Sequence, residues 1–479
     1  MARGQGSGAR AMSILTASAN DALRDATPRP FWIDRDDHPA SCSPLSGQVN
    51  ADLVIVGGGL TGLWAAISAR EANPESSVVL LEAKSIAFGA SGRNGGFISE
   101  SLTHGIAHGI AMWPDEMSTL LRMGRENLAE IAEFVAAEGI DAGLRICGKT
   151  AVAVRPHQVE QLRASVELHK QFGEDAEFLS GEQVRADVNS PTYLAGMRLR
   201  TGSGLLDPAL LCWGLKRAAL IRGVRIHEGT EVTGIKMSGA GVAIRTALGA
   251  VRAKRVLLAT NAYPPLLKRL RSWVLPIYDH VLVTEPLSAT QLADIGWLEN
   301  QGMTDSGNQF HYYRRTPDDR ILWGGYDAVY YFGNRTDAAR EQRDRSHQLL
   351  ARQFFDTFPQ LRGLRFTHRW AGLIDSTSRF TPLIGTALDG RMAYSVGYTG
   401  LGVAASRFGA LTALDLLGGQ DTERTRLGLV RKQPMRFPPE PLRYPTVQFT
   451  RAALAREDRT GKRGVWLRTL DHFGVGFNS

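Results

Sequence analysis

Apolar residues run unbroken through Leu53-Val54-Ile55-Val56, stop at Gly57-Gly58-Gly59, and resume through Leu60, Leu63, Trp64 and Ile67 at helical spacing. A short apolar run bounded by glycine predicts a buried strand, and the periodicity after it predicts an amphipathic helix. Val78-Val79-Leu80-Leu81 predicts a second strand, ending at Glu82. Leu120, Leu121, Leu128, Ile131 and Phe134 predict a helix over 117–138, followed by a strand at 150–154 and a helix at 158–172. Asp207 is placed to cap a helix ending near 222, and a strand starts at 223–226. A hairpin, 242–246 with 251–256, runs into Ala259-Thr260-Asn261. Strands are expected at 277–284, 310–315, 320–324 and 367–374, with Thr316-Pro317-Asp318-Asp319 as a turn. The charged stretch 335–358 predicts one long helix, and 1–30 is expected to be disordered.

The first strand, turn and helix carry the spacing Gly57-x-Gly59-x-x-Gly62. In such a unit the first glycine permits the tight turn, the second lets the backbone approach a pyrophosphate, and the third lets helix and strand pack closely. The helix N-terminus then faces the phosphates with unpaired N–H groups and the positive end of its dipole. Glu82 stands twenty positions after Gly62, where a carboxylate accepts hydrogen bonds from ribose hydroxyls and repels a 2′-phosphate. These residues predict an adenine dinucleotide of the NAD or FAD kind, and not NADP. The next segment, Gly89-Ala90-Ser91-Gly92-Arg93-Asn94-Gly95-Gly96-Phe97, has a backbone bare enough to lie along a phosphate and ribityl chain. A third glycine-rich element, Ser395-Val396-Gly397-Tyr398-Thr399-Gly400-Leu401-Gly402, opens a helix ending near 417. Its N-terminus is suited to face a flavin pyrimidine ring, where negative charge collects on reduction.

At 479 residues the chain can bury two cores, because single cores stop growing at about 250–300 residues. No window approaches the roughly 18 apolar residues of a membrane span. The N-terminal segment, with Gly4, Gly6, Gly8, Asn20, Asp21 and Asp25, lacks a signal-peptide apolar core, so a cytoplasmic protein is expected. Cys42, Cys147 and Cys212 form neither a disulfide framework nor a metal-binding pair, which agrees. The formal charge of +8 resides mostly in residues 431–479, which hold ten Lys or Arg against four Asp or Glu. Pro434, Pro438, Pro439, Pro441 and Pro445 speak against a long helix there. Leu454, Trp466, Leu470 and Phe473 speak against a loose tail, so the extension is expected to pack on the body or on a second copy of the chain. Nucleic-acid binding is not expected of it.

Glu82, the loop 89–97, the strand Val256-Leu257-Leu258-Ala259-Thr260-Asn261-Ala262-Tyr263, and Pro382-Leu383-Ile384-Gly385 followed by 397–402 resemble the FAD-dependent D-amino acid oxidase and glycine oxidase superfamily. The Gly-Ala-Ser-Gly-Arg-Asn-Gly-Gly wording is most similar to its γ-glutamylputrescine oxidase branch. The resemblance spans roughly residues 30–430 and implies FAD. It implies an α/β class, α+β overall, in which 31–105, 195–275 and 375–430 build a Rossmann-like FAD-binding domain. A sheet-rich substrate domain, 106–194 and 276–374, is inserted, and 431–479 is a basic C-terminal extension. Cofactor contacts are implied at Gly57, Gly59, Leu60, Thr61, Gly62, Glu82, Ala83 and Lys84, and at Gly89, Ala90, Ser91, Gly92, Arg93, Asn94, Gly95 and Gly96. Further contacts are implied at Val232, Thr260, Asn261, Gly397, Thr399, Gly400, Leu401 and Gly402.

The chemistry so implied is oxidation of a carbon–nitrogen bond, with hydride passing to flavin N5 and the imine then hydrolysing. In D-amino acid and glycine oxidases the strand before the last FAD segment begins Gly-Leu-Arg, and that arginine forks onto the substrate carboxylate. Here the run is Gly372-Leu373-Ile374, so the expected substrate is an amine, or an acid whose carboxylate lies further out. Oxygen or an electron carrier is the expected acceptor. A D-amino acid oxidase or dehydrogenase is one alternative, and a flavin-binding subunit feeding a partner through the basic tail is another. Sarcosine oxidases draw a flavin-linked cysteine from this strand, and some dimethylglycine-type enzymes draw a histidine from the glycine loop. Ala371, Gly372 and the loop 89–97 offer neither, so FAD is expected to be non-covalent.

Tyr312, Trp323 and His104 are the candidate catalytic residues. Trp323 falls near the position of an oxygen-activating lysine in sarcosine oxidases. Tyr312 and Arg314 alternate with Tyr313 and Arg315, so one pair faces the cavity. His104 and His108 follow the flavin loop without a third ligand in view, and no metal is expected. Arg93 is read as approaching the flavin ring, with a salt bridge across the loop as its other role.

Overall fold

The computed structural model describes residues 19–476. The strand Gly47–Val56 lies inside an eight-stranded sheet, with its last four residues buried. The sheet order is Leu383–Ala387, Met392–Val396, Gly249–Leu258, Gly47–Val56, Val78–Leu81 and Arg225–His227, and the hairpin Gly234–Ser238 with Gly241–Arg245 joins through Gly249–Leu258. Strand alternation divides the buried residues between two cores. Leu53, Ile55 and Leu80 pack beneath the helices Leu60–Ala72, Pro208–Ile221 and Gly402–Gly418 through Leu63, Trp64, Leu211 and Phe408. Val54, Val56, Val79 and Leu81 face the other way, among Val242, Ile244 and Trp273. Each fully buried aliphatic side chain in these layers contributes about 1.5–3 kcal/mol relative to exposure.

The second eight-stranded sheet runs Phe366–Ser376, Leu275–Thr284, Ile321–Gly325, His311–Arg315, Gly302–Asp305, Lys149–Ala153, Ala195–Leu199 and Ala176–Ser180. The helix Asp344–Thr357 covers one face, where Leu350, Phe354 and Phe355 pack with Tyr313 and Trp323. The opposite face carries Tyr312, Thr304 and Ala151 and is turned to a cavity.

Several boundaries differ from those that the sequence predicts. Residues 19–30 are not disordered: Ala19, Ala22, Leu23 and Ala26 are buried in the core of the second sheet, and Thr27 pairs with His368. The remainder of the expected disordered segment, 1–18, lies outside the described residues. Ala195–Leu199 pairs with Lys149–Ala153 and so belongs to the second sheet, not to the dinucleotide unit. Met117–Ala137 packs Leu120, Leu128, Ile131 and Val135 into the core under the first sheet, although the sequence assigns it to the inserted domain. The long helix expected over 335–358 is only Asp344–Thr357 after a single 3-10 turn, Ala338–Arg340. Residues 335–343 hold no large apolar side chain, so no burial supports a helix there.

The C-terminal extension folds as the helices Arg443–Thr460 and Val465–His472. Pro445 occupies the first turn of the former, where its missing N–H has no partner to lose, so the prolines set the start of this helix without preventing it. Among the described residues no helix is long and apolar enough to cross a membrane.

Candidate active site

A cavity of about 1530 Å³ is lined from both sheets and from the C-terminal helices. Glu82, Ala83, Lys84, Thr230 and Val232 wall one part of it, and Gly57, Gly59, Leu60, Thr61, Ala90, Ser91, Thr260 and Asn261 wall the next. Tyr312, Asp279, Ile374, His104, Thr399, Gly400, Leu401 and Gly402 wall a third.

The glycines divide by what a side chain would meet. A Cβ on Gly57, at φ +114°, would lie 2.3 Å from the Ala259 carbonyl oxygen, and one on Gly62 would lie 1.9 Å from that of Gly57. Gly59 is different. A Cβ there would meet only the Ser91 side chain, at 2.7 Å from Oγ, and the backbone is otherwise open to the cavity. Four of the glycines expected at the cofactor do not line the cavity: Gly62, Gly92, Gly96 and Gly397. Added Cβ atoms on Gly92 and Gly96 would press on the carbonyl oxygens of Ala87 and Leu206 at 2.2 and 2.3 Å, and one on Gly397 would press on Thr377 at 2.4 Å. These glycines shape the turns and leave the contacts to their neighbours.

Glu82 ends its strand with Oε2 accepting from Gly58 N at 2.7 Å and Oε1 accepting from Lys84 N at 2.8 Å. Burial pushes its pKa upward, opposed by those N–H groups. Ser91 Oγ accepts from Leu60 N at 3.0 Å and so ties the glycine loop to the helix start. Thr260 Oγ1 is buried at the cavity wall without a hydrogen-bond partner.

On the substrate side, Tyr312 donates to Asp279 Oδ2. Desolvation raises the Asp279 carboxyl to about 6, with the Tyr312 hydrogen bond acting against it, and it keeps the Tyr312 phenol well above its usual value. A Cβ on Gly95 would lie 2.6 Å from the Tyr312 ring, so the glycine loop sits directly against this pair. Ile374 and Ile277, cross-strand neighbours, line the same wall. His104 also lines it. Burial lowers its pKa to about 4, so the ring is neutral, and Nε2 donates to the Thr399 carbonyl at 2.6 Å. His108 donates instead to the Arg379 carbonyl at 2.9 Å. The Asp375 carboxylate accepts from Gly397 N and Tyr398 N and thereby holds the turn that starts the helix Gly402–Gly418.

Two side-chain roles read from the sequence are corrected. Trp323 does not reach the cavity: it is fully buried on the far side of its strand, stacked on His311 at 4.5 Å and packed against Tyr313. A strand shows alternate residues to alternate faces, and Trp323 pairs with Tyr313, not with Tyr312. Arg93 lines the cavity, but its guanidinium is committed to Glu341 at 2.6 Å, the Phe88 carbonyl at 2.7 Å and the Ala371 carbonyl at 3.2 Å, so the salt bridge is its role. Arg314, on the Tyr312 side, braces the glycine loop through the carbonyls of Gly96 and Leu206.

Asp279 was not among the sequence candidates, although a carboxylate at an inward position between Ile277 and Val281 is a signal. The extension was missed as a wall: Thr450, Arg451, Leu454, Asp458, Trp466 and Leu470 line the cavity. Arg451 pairs with Asp327 at 2.7 Å, Asp458 accepts from the backbone of Asn308 and Gln309, and Arg463 pairs with Glu457 at 2.8 Å. Limited trypsin digestion is therefore expected to leave 443–472 attached. Rapid release of an active core ending near Arg431 would contradict this packing.

Residues 52–414 match the family described as DAO, FAD dependent oxidoreductase. The chain belongs to this family. It is 34% identical over 392 residues to gamma-glutamylputrescine oxidoreductase of Escherichia coli (strain K12), covering 79% of this chain and 86% of that protein. It is 26% identical to sarcosine oxidase subunit beta of Arthrobacter sp, across 70% of this chain and 78% of that one. Glycine oxidase from Bacillus cereus shares the fold with a TM-score of 0.64 at 21% identity, over 78% of this chain and 96% of that one. FAD is thus the cofactor of this oxidoreductase, and the residues present fit it. The cavity exceeds the roughly 300–1,000 Å³ of ordinary small-molecule pockets, Gly59 leaves the helix start bare, and Thr260 offers an unpaired hydroxyl.

Proposed function

We propose that this flavoenzyme oxidises the carbon–nitrogen bond of an amine that carries no α-carboxylate. The observation that supports this most is the pairing of Asp279 with an apolar wall at Ile374 and Ile277. An amino-acid oxidase needs a cation there to hold a carboxylate, whereas a carboxylate against isoleucine suits a substrate ammonium. The Escherichia coli relative is named for γ-glutamylputrescine, an acylated diamine, which agrees.

The dinucleotide contacts fall to Gly57, Gly59, Leu60 and Thr61 at the phosphates, Glu82 at the ribose, and Val232 and Thr260 beside them. Bound FAD supplies the two-electron acceptor. Asp279, oriented by Tyr312, holds the substrate ammonium and takes one of its protons, so that the neutral amine is the hydride donor, and Ile374 and Ile277 exclude water from its carbon. The N-terminus of Gly402–Gly418, presented by Thr399, Gly400 and Leu401, favours negative charge in front of it. His104 fixes that turn through Thr399. Binding is read as non-covalent: no cysteine lines the cavity, and neither Ala371-Gly372 nor the loop 89–97 offers a cysteine or histidine. The unpaired Cys42, Cys147 and Cys212 suit a reducing compartment such as the cytoplasm. The arginines Arg451 and Arg463 are bound within the chain, which argues against a tail free to recruit a partner.

Anaerobic loss of the flavin visible absorbance tests this reading. Primary amines and acylated diamines are expected to bleach the flavin at least about ten times faster than D-alanine or glycine, a difference of about 1.4 kcal/mol. Faster bleaching by D-alanine would overturn it.

A further inference from the structure

The two C-terminal helices each turn one face to the cavity. Val447, Thr450, Leu454 and Asp458 recur at helical spacing along Arg443–Thr460, and Trp466 and Leu470 do so along Val465–His472. A helix docked on a core buries its apolar stripe, yet Arg443 and Thr450 are the buried residues of Arg443–Thr460, and Val447, Leu454, Trp466 and Leu470 stay half-buried at the cavity wall. The polar side chains of this face are committed. Arg451 pairs with Asp327 at 2.7 Å, Asp458 accepts from the N–H groups of Asn308 and Gln309, Arg463 pairs with Glu457 at 2.8 Å, and Thr450 accepts from Trp466 Nε1 at 3.0 Å. The surface left to meet a ligand is hydrocarbon and indole.

Two anchors set this surface beside the Tyr312–Asp279 pair. Gly324 pairs with Val281 and Val329 bridges to Tyr278, so residues 325–328 run alongside Asp279. Desolvation raises the Asp279 carboxyl and the Asp327 charge adds to it, and Asp327 is the residue that holds Arg451. Asn308 and Gln309, which hold Asp458, lie in the loop joining the strand of Thr304 to the strand of Tyr312. Leu454 falls between these anchors, one turn from Arg451 and one from Asp458, and Trp466 reaches the same stretch through Thr450. The family match ends at residue 414, so this wall is built outside the shared residues.

We propose that Leu454 and Trp466, flanked by Val447 and Leu470, determine specificity by covering an alkyl or aryl group carried on the amine, next to the ammonium that Asp279 holds; this deepens the amine reading above and rests on it. Apolar surface taken from water against this wall stabilises the complex in proportion to its area, so the extension selects for hydrocarbon length and bulk. Asp279 fixes the reacting end, and the C-terminal helices choose what is attached to it.

Two pairs of compounds test this, the members of each differing by four methylenes. n-Hexylamine and ethylamine are oxidisable. Heptanamide and propanamide carry no amine and report binding alone, by calorimetry on the FAD-loaded protein. The wild type is expected to favour the longer member of each pair at least about tenfold, since each methylene that the wall covers is worth about fourfold. Trp466→Ala is expected to cut that preference at least about threefold, and Leu454→Trp, which fills the same space, to reverse it. Resistance of 443–472 to trypsin in both variants shows that the wall is reshaped and not lost. If neither amine reduces the flavin, the amine reading fails, and the amide pair still decides the wall. A wild type without preference in either pair, or a preference that both variants leave unchanged, would overturn the proposal.

Discussion

A Gly59→Val variant is expected to fold and to purify without its yellow colour, with FAD content reduced about tenfold or more by a side chain placed against the pyrophosphate. Gly59 has an ordinary φ of −84°, so valine strains no backbone there. The added Cβ meets the Ser91 hydroxyl, which must rotate away and give up its hydrogen bond from Leu60 N, and the branches beyond it enter the cavity where the helix N–H groups are presented. Gly57 and Gly62 do not offer so clean a test. Substituents there strike carbonyl oxygens at 2.3 and 1.9 Å, and the loss of flavin would follow from a broken turn. The ratio of flavin to protein absorbance, read beside a thermal melt, checks the result. A folded Gly59→Val protein with normal FAD content would refute the placement of the phosphates at this helix.

What the sequence made legible was local. Strand, glycine turn, helix and Glu82 lie within about thirty residues, and the spacing rules for such a unit hold because each partner is fixed by its neighbours in the chain. The residues that sequence reasoning misplaced depend on pairing between distant segments. Arg93 was open to two roles until Glu341, 248 residues away, arrived beside it. Trp323 was misread because a one-residue shift of strand register exchanges the two faces of a sheet. Its neighbour Gly324 is the residue opposite Tyr312. Asp279 gains meaning only when the second sheet brings its strand to the cavity beside Tyr312, and the wall built by Trp466 and Arg451 needs the extension to turn back on the body. Small side chains misled in the same way: Ala19, Ala22 and Ala26 look like a polar leader's filler, yet they are buried.

Asp279→Asn is expected to lower kcat/KM for amine substrates by about 100-fold or more, because an enclosed ammonium left without its counter-charge costs about 3–5 kcal/mol. The same substitution is expected to remove the acid limb of the pH profile. Desolvation raises the Asp279 carboxyl to about 6, so below that pH the group is neutral and the substrate cation finds no partner. As pH rises through this value the carboxylate forms and kcat/KM climbs with it. Asparagine keeps the size of the side chain and an oxygen to accept from Tyr312, so thermal stability and FAD content should change little. Tyr312→Phe separates orientation from charge. It removes a hydrogen bond that favours the ionised carboxylate, so the acid limb should move to higher pH while much of the activity above it survives. An Asp279→Asn enzyme with wild-type kcat/KM and an intact acid limb would show that the substrate cation is held elsewhere. A limb that stays near pH 6 in Tyr312→Phe would show that the phenol does not tune it.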